Sequence, residues 1–143
     1  MHNKSILKIM DANLNRAREG LRVCEDIARF SIGKGNIAKA LKGMRHSITN
    51  NFIDSGKTQL KELLFSRDVD IDILKSFDFE KPKDVKLADI FMSNIQRVKE
   101  ALRVIEECCR LIDKDMSIRF RNIRFRVYDL EQKAIKKIQK IKL

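Results

Sequence analysis

The 143-residue sequence has no tryptophan, one tyrosine, one proline (Pro82) and five glycines. That shortage of proline and glycine favours long helices. None of its three cysteines, Cys24, Cys108 and Cys109, has C-x-x-C metal spacing, and adjacent cysteines rarely pair with each other. All three fall on apolar helix faces and read as small buried thiols of a reducing cytosol. No apolar run approaches a membrane span, and Met1 to Met10 is too polar for a secretory signal. A cytoplasmic chain with no membrane contact is therefore expected. Neither G-x-x-x-x-G-K-[ST] nor G-x-G-x-x-G occurs. Gly33-Lys34-Gly35-Asn36 resembles a phosphate loop only in composition, and it equally makes a helix stop and turn.

What is present is positive charge. The formal net charge is +11. Residues 116–143 hold nine basic and two acidic residues, so most of the excess sits at the C-terminal end. A basic helix there binds phosphate-rich partners or is simply a solvated face.

Apolar spacing predicts helices throughout and no convincing strand. Helix one is expected from a cap at Asp11, or from an earlier turn at Ser5, to about Ser31. Helix two follows from Asn36, with Ile37, Leu41, Met44, Ile48 and Phe52 on one face. A short helix is expected around Thr58 to Phe65. Residues 66–85, with Asp68, Asp70 and Asp72, read as an acidic loop of the length that is often functional. Helix three is expected from Asp84 or Lys86 to Ile112. Asp115 is expected to cap helix four, whose stripe runs Met116, Phe120, Ile123, Val127, Leu130, Ala134, Ile138 and Ile141. The fold class is all-α: one antiparallel bundle of two similar helical halves joined by the acidic loop. The stripe of helix four is long enough to serve a homodimer interface as well as the core.

Residues 13–30 recur at 94–111. Eight of 18 positions are identical: Asn13/Asn94, Arg16/Arg97, Glu19/Glu100, Leu21/Leu102, Arg22/Arg103, Val23/Val104, Glu25/Glu106 and Arg29/Arg110. A repeat kept only for packing would keep shape and vary its charges. This one keeps N-x-x-R-x-x-E-x-x-R, which suggests a polar constellation used twice. At about 100° per residue, Leu14, Ala17, Gly20, Leu21, Val23, Cys24, Ile27, Ala28 and Phe30 share one apolar arc. Arg18, Arg22, Glu25, Asp26 and Arg29 fall opposite it. Asn13 and Arg16, like Asn94 and Arg97, lie inside the arc. A guanidinium there must be paired or must reach an anionic ligand in a cavity. Both alternatives are open from sequence, and the functional one predicts a shared polar cavity between helices one and three.

The second helix of each half adds Lys42, Arg45 and His46, and Arg119, Arg121, Arg124 and Arg126. Arg124 and Tyr128 are one turn apart. Such clusters suit phosphate or carboxylate ligands. The three alternating aspartates could hold Mg²⁺ through oxygen ligands. They lack the glycine and the terminal glutamate of a Ca²⁺ loop, so that motif is rejected.

Asp11-Ala-Asn-Leu-Asn-Arg-Ala-Arg-Glu-Gly-Leu-Arg-Val, followed by Glu25-Asp26-Ile-Ala-Arg-Phe, closely resembles the start of a small bacterial domain often fused to thiamine-phosphate synthase: a hydroxymethylpyrimidine phosphate kinase. The resemblance continues at Leu41-Lys42, Arg45-His46, Arg67-Asp68, Asp72, Asn94, Arg97, Glu100-Ala-Leu-Arg-Val-Ile-Glu-Glu, Arg124, Tyr128 and Glu131. The acidic loop departs from the family's R-D-x-x-x-D-V-G at Ile73 and Leu74. The resemblance implies ATP-dependent phosphorylation of hydroxymethylpyrimidine monophosphate to the diphosphate, with Mg²⁺. Arg16, Arg97, Glu19 and Glu100 would be catalytic. Asn13, Arg45, His46, Asn94, Arg124 and Tyr128 would contact substrate or phosphate, and Asp68 and Asp72 the metal. With no synthase sequence after Leu143, a standalone form is implied, with thiamine-phosphate synthase as a pathway neighbour. The alternatives are a basic helical nucleic-acid-binding module, which would show steep salt dependence, and another small helical enzyme gripping a dicarboxylate with arginines.

Overall fold

In the computed structural model the described residues are 4–33, 35–54 and 84–141, and every regular element among them is helical. Helix α1 spans Lys4–Ile27 and runs into a π-helical turn, Ala28–Ile32. Helix α2 spans Asn36–Asp54, α3 spans Leu87–Ile112 and α4 spans Lys114–Ile141. The expected short helix and the acidic loop, with Asp68, Asp70 and Asp72, lie outside the described residues. No described helix is long and apolar enough to cross a membrane.

Helix α1 starts at Lys4, close to the alternative start at Ser5 and about two turns before Asp11. Met10 is fully buried and Ile6 packs partly against the core one turn earlier, so the apolar face already begins there. Asp11 lies mid-helix and buried. The π turn at Ala28–Ile32 resets the register of the last turn. Phe30, expected on the apolar arc, is consequently 76% exposed and lies under the Arg29 guanidinium, 5.2 Å from its centroid. Gly33 and Gly35 break the hairpin at φ +77° and +70°, left-handed values that favour glycine. The Gly35 carbonyl then accepts the Lys39 N–H at 2.8 Å, opening α2.

Helix α3 opens with the Lys86 N–H donating to the Asp89 carboxylate at 3.0 Å. The cap of α4 is Asp113 rather than Asp115: its Oδ1 accepts the Met116 N–H at 3.2 Å. The same residue closes α3 by donating its own N–H to the Cys109 carbonyl at 2.7 Å. One residue therefore terminates one helix and starts the next, which makes this connection shorter than the sequence suggested.

Helices α1 and α3 lie antiparallel, and α2 and α4 pack beneath them. Cys24 Sγ donates to the Phe91 carbonyl at 3.5 Å, while Gly20 faces Asn94 and Val98. A Cβ on Gly20 would stand 2.7 Å from Val98 Cγ2 and 3.0 Å from the Asn94 carbonyl oxygen, so glycine sets how closely the helices approach. The halves correspond beyond the repeated segment. Ile37, Leu41, Met44 and Ile48 of α2 match Met116, Phe120, Ile123 and Val127 of α4, and all eight are buried. The α4 stripe is buried within this chain through Ile138, leaving Ile141 44% exposed.

Candidate functional site

The repeated charges fall into two groups with opposite fates. Glu25 and Glu106, expected on the solvent side, are buried. Arg45 of α2 reaches Glu25 Oε2 through Nε at 3.1 Å, and Arg124 of α4 reaches Glu106 Oε2 through Nε at 2.9 Å. The side chains of the second pair are 12% and 8% exposed. Each carboxylate also meets an exposed arginine one turn back: Arg22 at 3.8 Å and Arg103 at 3.5 Å. Helices α2 and α4 pack over the flank that carries these carboxylates, so the covered arc of α1 and α3 is wider than their apolar arc. Retention of Glu25, Glu106, Arg22 and Arg103 thus has a structural cause. Arg45 and Arg124, expected to contact phosphate, are held in these ion pairs. In Arg124, burial works against the charge, but the hydrogen bond and charge of Glu106, with Tyr128 adding, hold the guanidinium's pKa above its usual value.

Arg16 and Arg97 differ from expectation in the other direction: both are exposed. Nine residues separate Arg16 from Glu25 and Arg97 from Glu106, about half a turn around the helix. Each arginine therefore lies opposite the flank covered by the second helix. The two lie on the side of the α1/α3 pair that neither α2 nor α4 covers. Arg16 Nη1 approaches Asn13 Oδ1 at 3.4 Å. Asn13 and Asn94 donate their amide Nδ2 to the carbonyls of Ile9 and Ile90, each at 2.8 Å, so both belong partly to the helix backbone. Glu100 accepts from Gln96 Nε2 at 3.1 Å. Glu19 and Arg97 are exposed and have no ion pair among the described residues. Six retained charges, Arg16, Glu19, Arg29, Arg97, Glu100 and Arg110, are exposed with no packing role among the described residues. Arg29 and Arg110 make surface contacts with Phe30 and Glu107, which leaves Arg16, Glu19, Arg97 and Glu100.

The structure does not bring His46 to this side; it lies exposed on α2. Tyr128 sits on the far flank, where Lys99 Nζ lies 4.8 Å from its ring centroid and 2.7 Å from Glu131. The matching position to Lys99 in the first half is Arg18, whose Nε is buried without a hydrogen-bond partner. The sequence explains the asymmetry, because Thr49 and Phe52 stand where the second half has Tyr128 and Glu131. Burial pushes the Cys24 and Cys109 thiols up to about 12. Nearby Glu131 adds to the first; Cys108 and Asp113 add to the second. Both therefore stay protonated and unreactive at neutral pH. Among the described residues no group of three His, Cys, Asp or Glu side chains could hold a metal ion.

One groove was missed from sequence. It measures about 290 Å³ and opens between α2 and α4, lined by Ser47, Asn50 and Asn51 on one side and Arg119, Asn122, Ile123 and Arg126 on the other. The arginines were visible as basic residues, but the facing amides could be placed only once the register of the two helices was known.

A sequence profile described as the ThiD2 family matches residues 8–133. Among curated proteins, the chain is 40% identical over 127 residues to a protein named thiamine-phosphate synthase from Prochlorococcus marinus strain AS9601. That alignment covers 88% of this chain and 34% of the relative. Proteins of the same name from Thermosynechococcus vestitus and Gloeobacter violaceus are 37% and 36% identical, covering 87% and 90% of this chain and 34% and 36% of theirs. The chain thus spans about a third of the length of the curated relatives it matches. No solved structure matches it.

Proposed function

The chain belongs to the ThiD2 family, and we propose that it is an ATP-dependent kinase converting hydroxymethylpyrimidine monophosphate to the diphosphate in thiamine biosynthesis. Its relatives' name, thiamine-phosphate synthase, supports the pathway, and the early motif resemblance supports the reaction. The observation that carries the reading is the retained set of Arg16 and Glu19, repeated as Arg97 and Glu100, all exposed and without a packing role among the described residues.

In this reading a terminal phosphate oxygen of the acceptor attacks the γ-phosphorus of ATP. The bond from that phosphorus to the β,γ-bridging oxygen breaks, and ADP leaves. The attacking oxygen is already anionic, so no strong general base is required. Such transfer rests on positioning and on positive charge around the moving phosphoryl group. Arg16 and Arg97 supply that charge, each with a planar fork suited to two oxygens. Glu19 and Glu100 orient the guanidiniums or accept from the amino group of the pyrimidine. Asn13 and Asn94, each tied to the carbonyl one turn back, stand one turn before Arg16 and Arg97. Arg45 and Arg124 act as positioning residues through their glutamates, with His46 and Tyr128 further out on the flanks. Bound Mg²⁺ would neutralise charge on the β- and γ-phosphates; Asp68 and Asp72 are its proposed ligands on sequence grounds alone.

The test is an ADP-release assay with ATP and Mg²⁺, run on the monophosphate and on the free alcohol at equal concentration. Loss of the charge-assisted bonds to an acceptor phosphate, about 1.5–3 kcal/mol, lowers kcat/KM roughly 10- to 100-fold, since the exposed guanidiniums are rehydrated by water. Comparable rates would sink the phosphate-selecting role. Arg16→Gln and Arg97→Gln should each lower kcat/KM at least about tenfold while leaving the melting temperature nearly unchanged. No turnover with either acceptor, together with duplex binding that falls steeply with salt, would favour a nucleic-acid module built on the exposed basic residues of α4.

A further inference from the structure

We infer that the α2/α4 groove is a second binding site, taking a small phosphate-bearing ligand with a hydrogen-bonding ring. It does not depend on the kinase reading, because Arg16 and Arg97 lie on the side of the molecule facing away from α2 and α4. The groove measures about 290 Å³, close to the lower bound for small-molecule sites. Arg119 and Arg126 stand on one wall. Both are exposed, and neither has an ion pair among the described residues, although five other arginines of the chain, Arg22, Arg45, Arg103, Arg110 and Arg124, are paired with glutamates. They are seven residues apart, so their backbones are about 10 Å apart along the axis of α4. Two guanidiniums at that spacing can close on one oxyanion group from both ends. Between and opposite them stand the amides of Asn50, Asn51 and Asn122. None of these amides is hydrogen-bonded among the described residues, and each offers both a donor and an acceptor to a heteroaromatic edge.

Gly43 supports the assignment independently. It lies within α2, on the same side of the helix as Ser47 and Asn50. A mid-helix glycine costs about 1 kcal/mol relative to alanine. Among the described residues packing gives no reason for it: an added Cβ would meet nothing within 4 Å. Its φ is not among the positive values of the chain. Neither close helix packing nor backbone conformation asks for glycine, whereas close approach of a ligand to the α2 backbone would.

The experiment is an amide and side-chain NMR titration of the full chain with inorganic pyrophosphate, and separately with adenosine monophosphate. Saturable shifts at Ser47, Asn50, Asn51, Asn122 and Arg126 are expected with both. Tighter binding of the nucleotide would identify the amides as a ring site; equal affinity would assign the groove to the phosphate alone and overturn the ring. Arg126→Gln and Gly43→Met should each weaken binding by about tenfold or more. Gly43→Met should do so with an unchanged or raised melting temperature. Unaltered binding by both variants would overturn the site. So would shifts confined to Arg16 and Arg97, or no binding at millimolar ligand.

Discussion

Removing the charge of Glu106 should unfold part of what a phosphate-binding role for Arg124 would leave intact. In the native chain Arg124 Nε lies 2.9 Å from Glu106 Oε2, with the two side chains 12% and 8% exposed. Glu106→Gln keeps the shape and one acceptor but strands a mostly buried guanidinium. Breaking such a pair from one side costs roughly 3–5 kcal/mol. Arg103, exposed and 3.5 Å from Glu106, offsets little of this. We expect about 3 kcal/mol for Glu106→Gln, at the low end because the amide oxygen remains an acceptor. For a chain of this length that lowers Tm by about 10 °C. Arg124→Met should cost a similar amount, since it leaves Glu106 buried. The double variant should cost clearly less than the sum, with a coupling of about 1–3 kcal/mol. Urea unfolding at pH 7 measures all three, and repeating it in 0.5 M salt should change little because the pair is shielded from solvent. Single variants within about 0.5 kcal/mol of wild type would refute the structural role of the pair.

Other outcomes follow from the same geometry. Arg18→Met removes a buried donor with no partner and should leave stability unchanged or raise it by up to about 1 kcal/mol, whereas Lys99→Met breaks the 2.7 Å contact to Glu131 and should lower it; equal effects in urea unfolding would contradict the asymmetry of the halves. Gly20→Ala should destabilise by about 1–2 kcal/mol despite the gain in helix propensity, because the new Cβ meets the Asn94 carbonyl oxygen at 3.0 Å; a rise in Tm would show that α1 and α3 separate freely. Cys24 and Cys109, raised to about 12 when folded against the ordinary 9.0, hold their protons more tightly in the folded chain, so their contribution is intact below pH 9 and is lost as pH climbs from 9 toward 12. Native thiol labelling at pH 8 should accordingly reach Cys108 first, and equally rapid labelling of all three would count against burial.

The helical architecture was legible because nearly every element carries an apolar stripe at helical spacing. Ile37, Leu41, Met44 and Ile48, and Met116, Phe120, Ile123 and Val127, are the positions that the fold buries. A helical wheel, however, ranks the faces of one helix without knowing its neighbours. It placed Glu25 outside and Arg16 inside, and the structure reverses both because α2 covers the flank carrying Glu25. Phe30 left the core because a π turn changes the register, and apolar spacing does not reveal such a turn. Asp113 caps α4 because it is shared between two helices, where sequence alone favoured Asp115. The repeat was legible as a repeat, but its two causes were not. Ion pairing accounts for Glu25 and Glu106, with Arg22 and Arg103 beside them; Arg29 and Arg110 make surface contacts, and among the described residues Arg16, Glu19, Arg97 and Glu100 are left without a packing reason. The groove was invisible because it needs residues of α2 and α4 brought into register across a seam.

Phosphorus NMR of the chain with ATP, Mg²⁺ and hydroxymethylpyrimidine monophosphate tests the central claim most directly. The account predicts loss of the γ-phosphate signal of ATP and of the acceptor's monoester signal, matched by growth of ADP and of a second diphosphate. Arg16→Gln and Arg97→Gln should slow that conversion while the protein remains folded. Release of inorganic phosphate without a new diphosphate, or unchanged spectra at high enzyme concentration, would contradict the kinase reading.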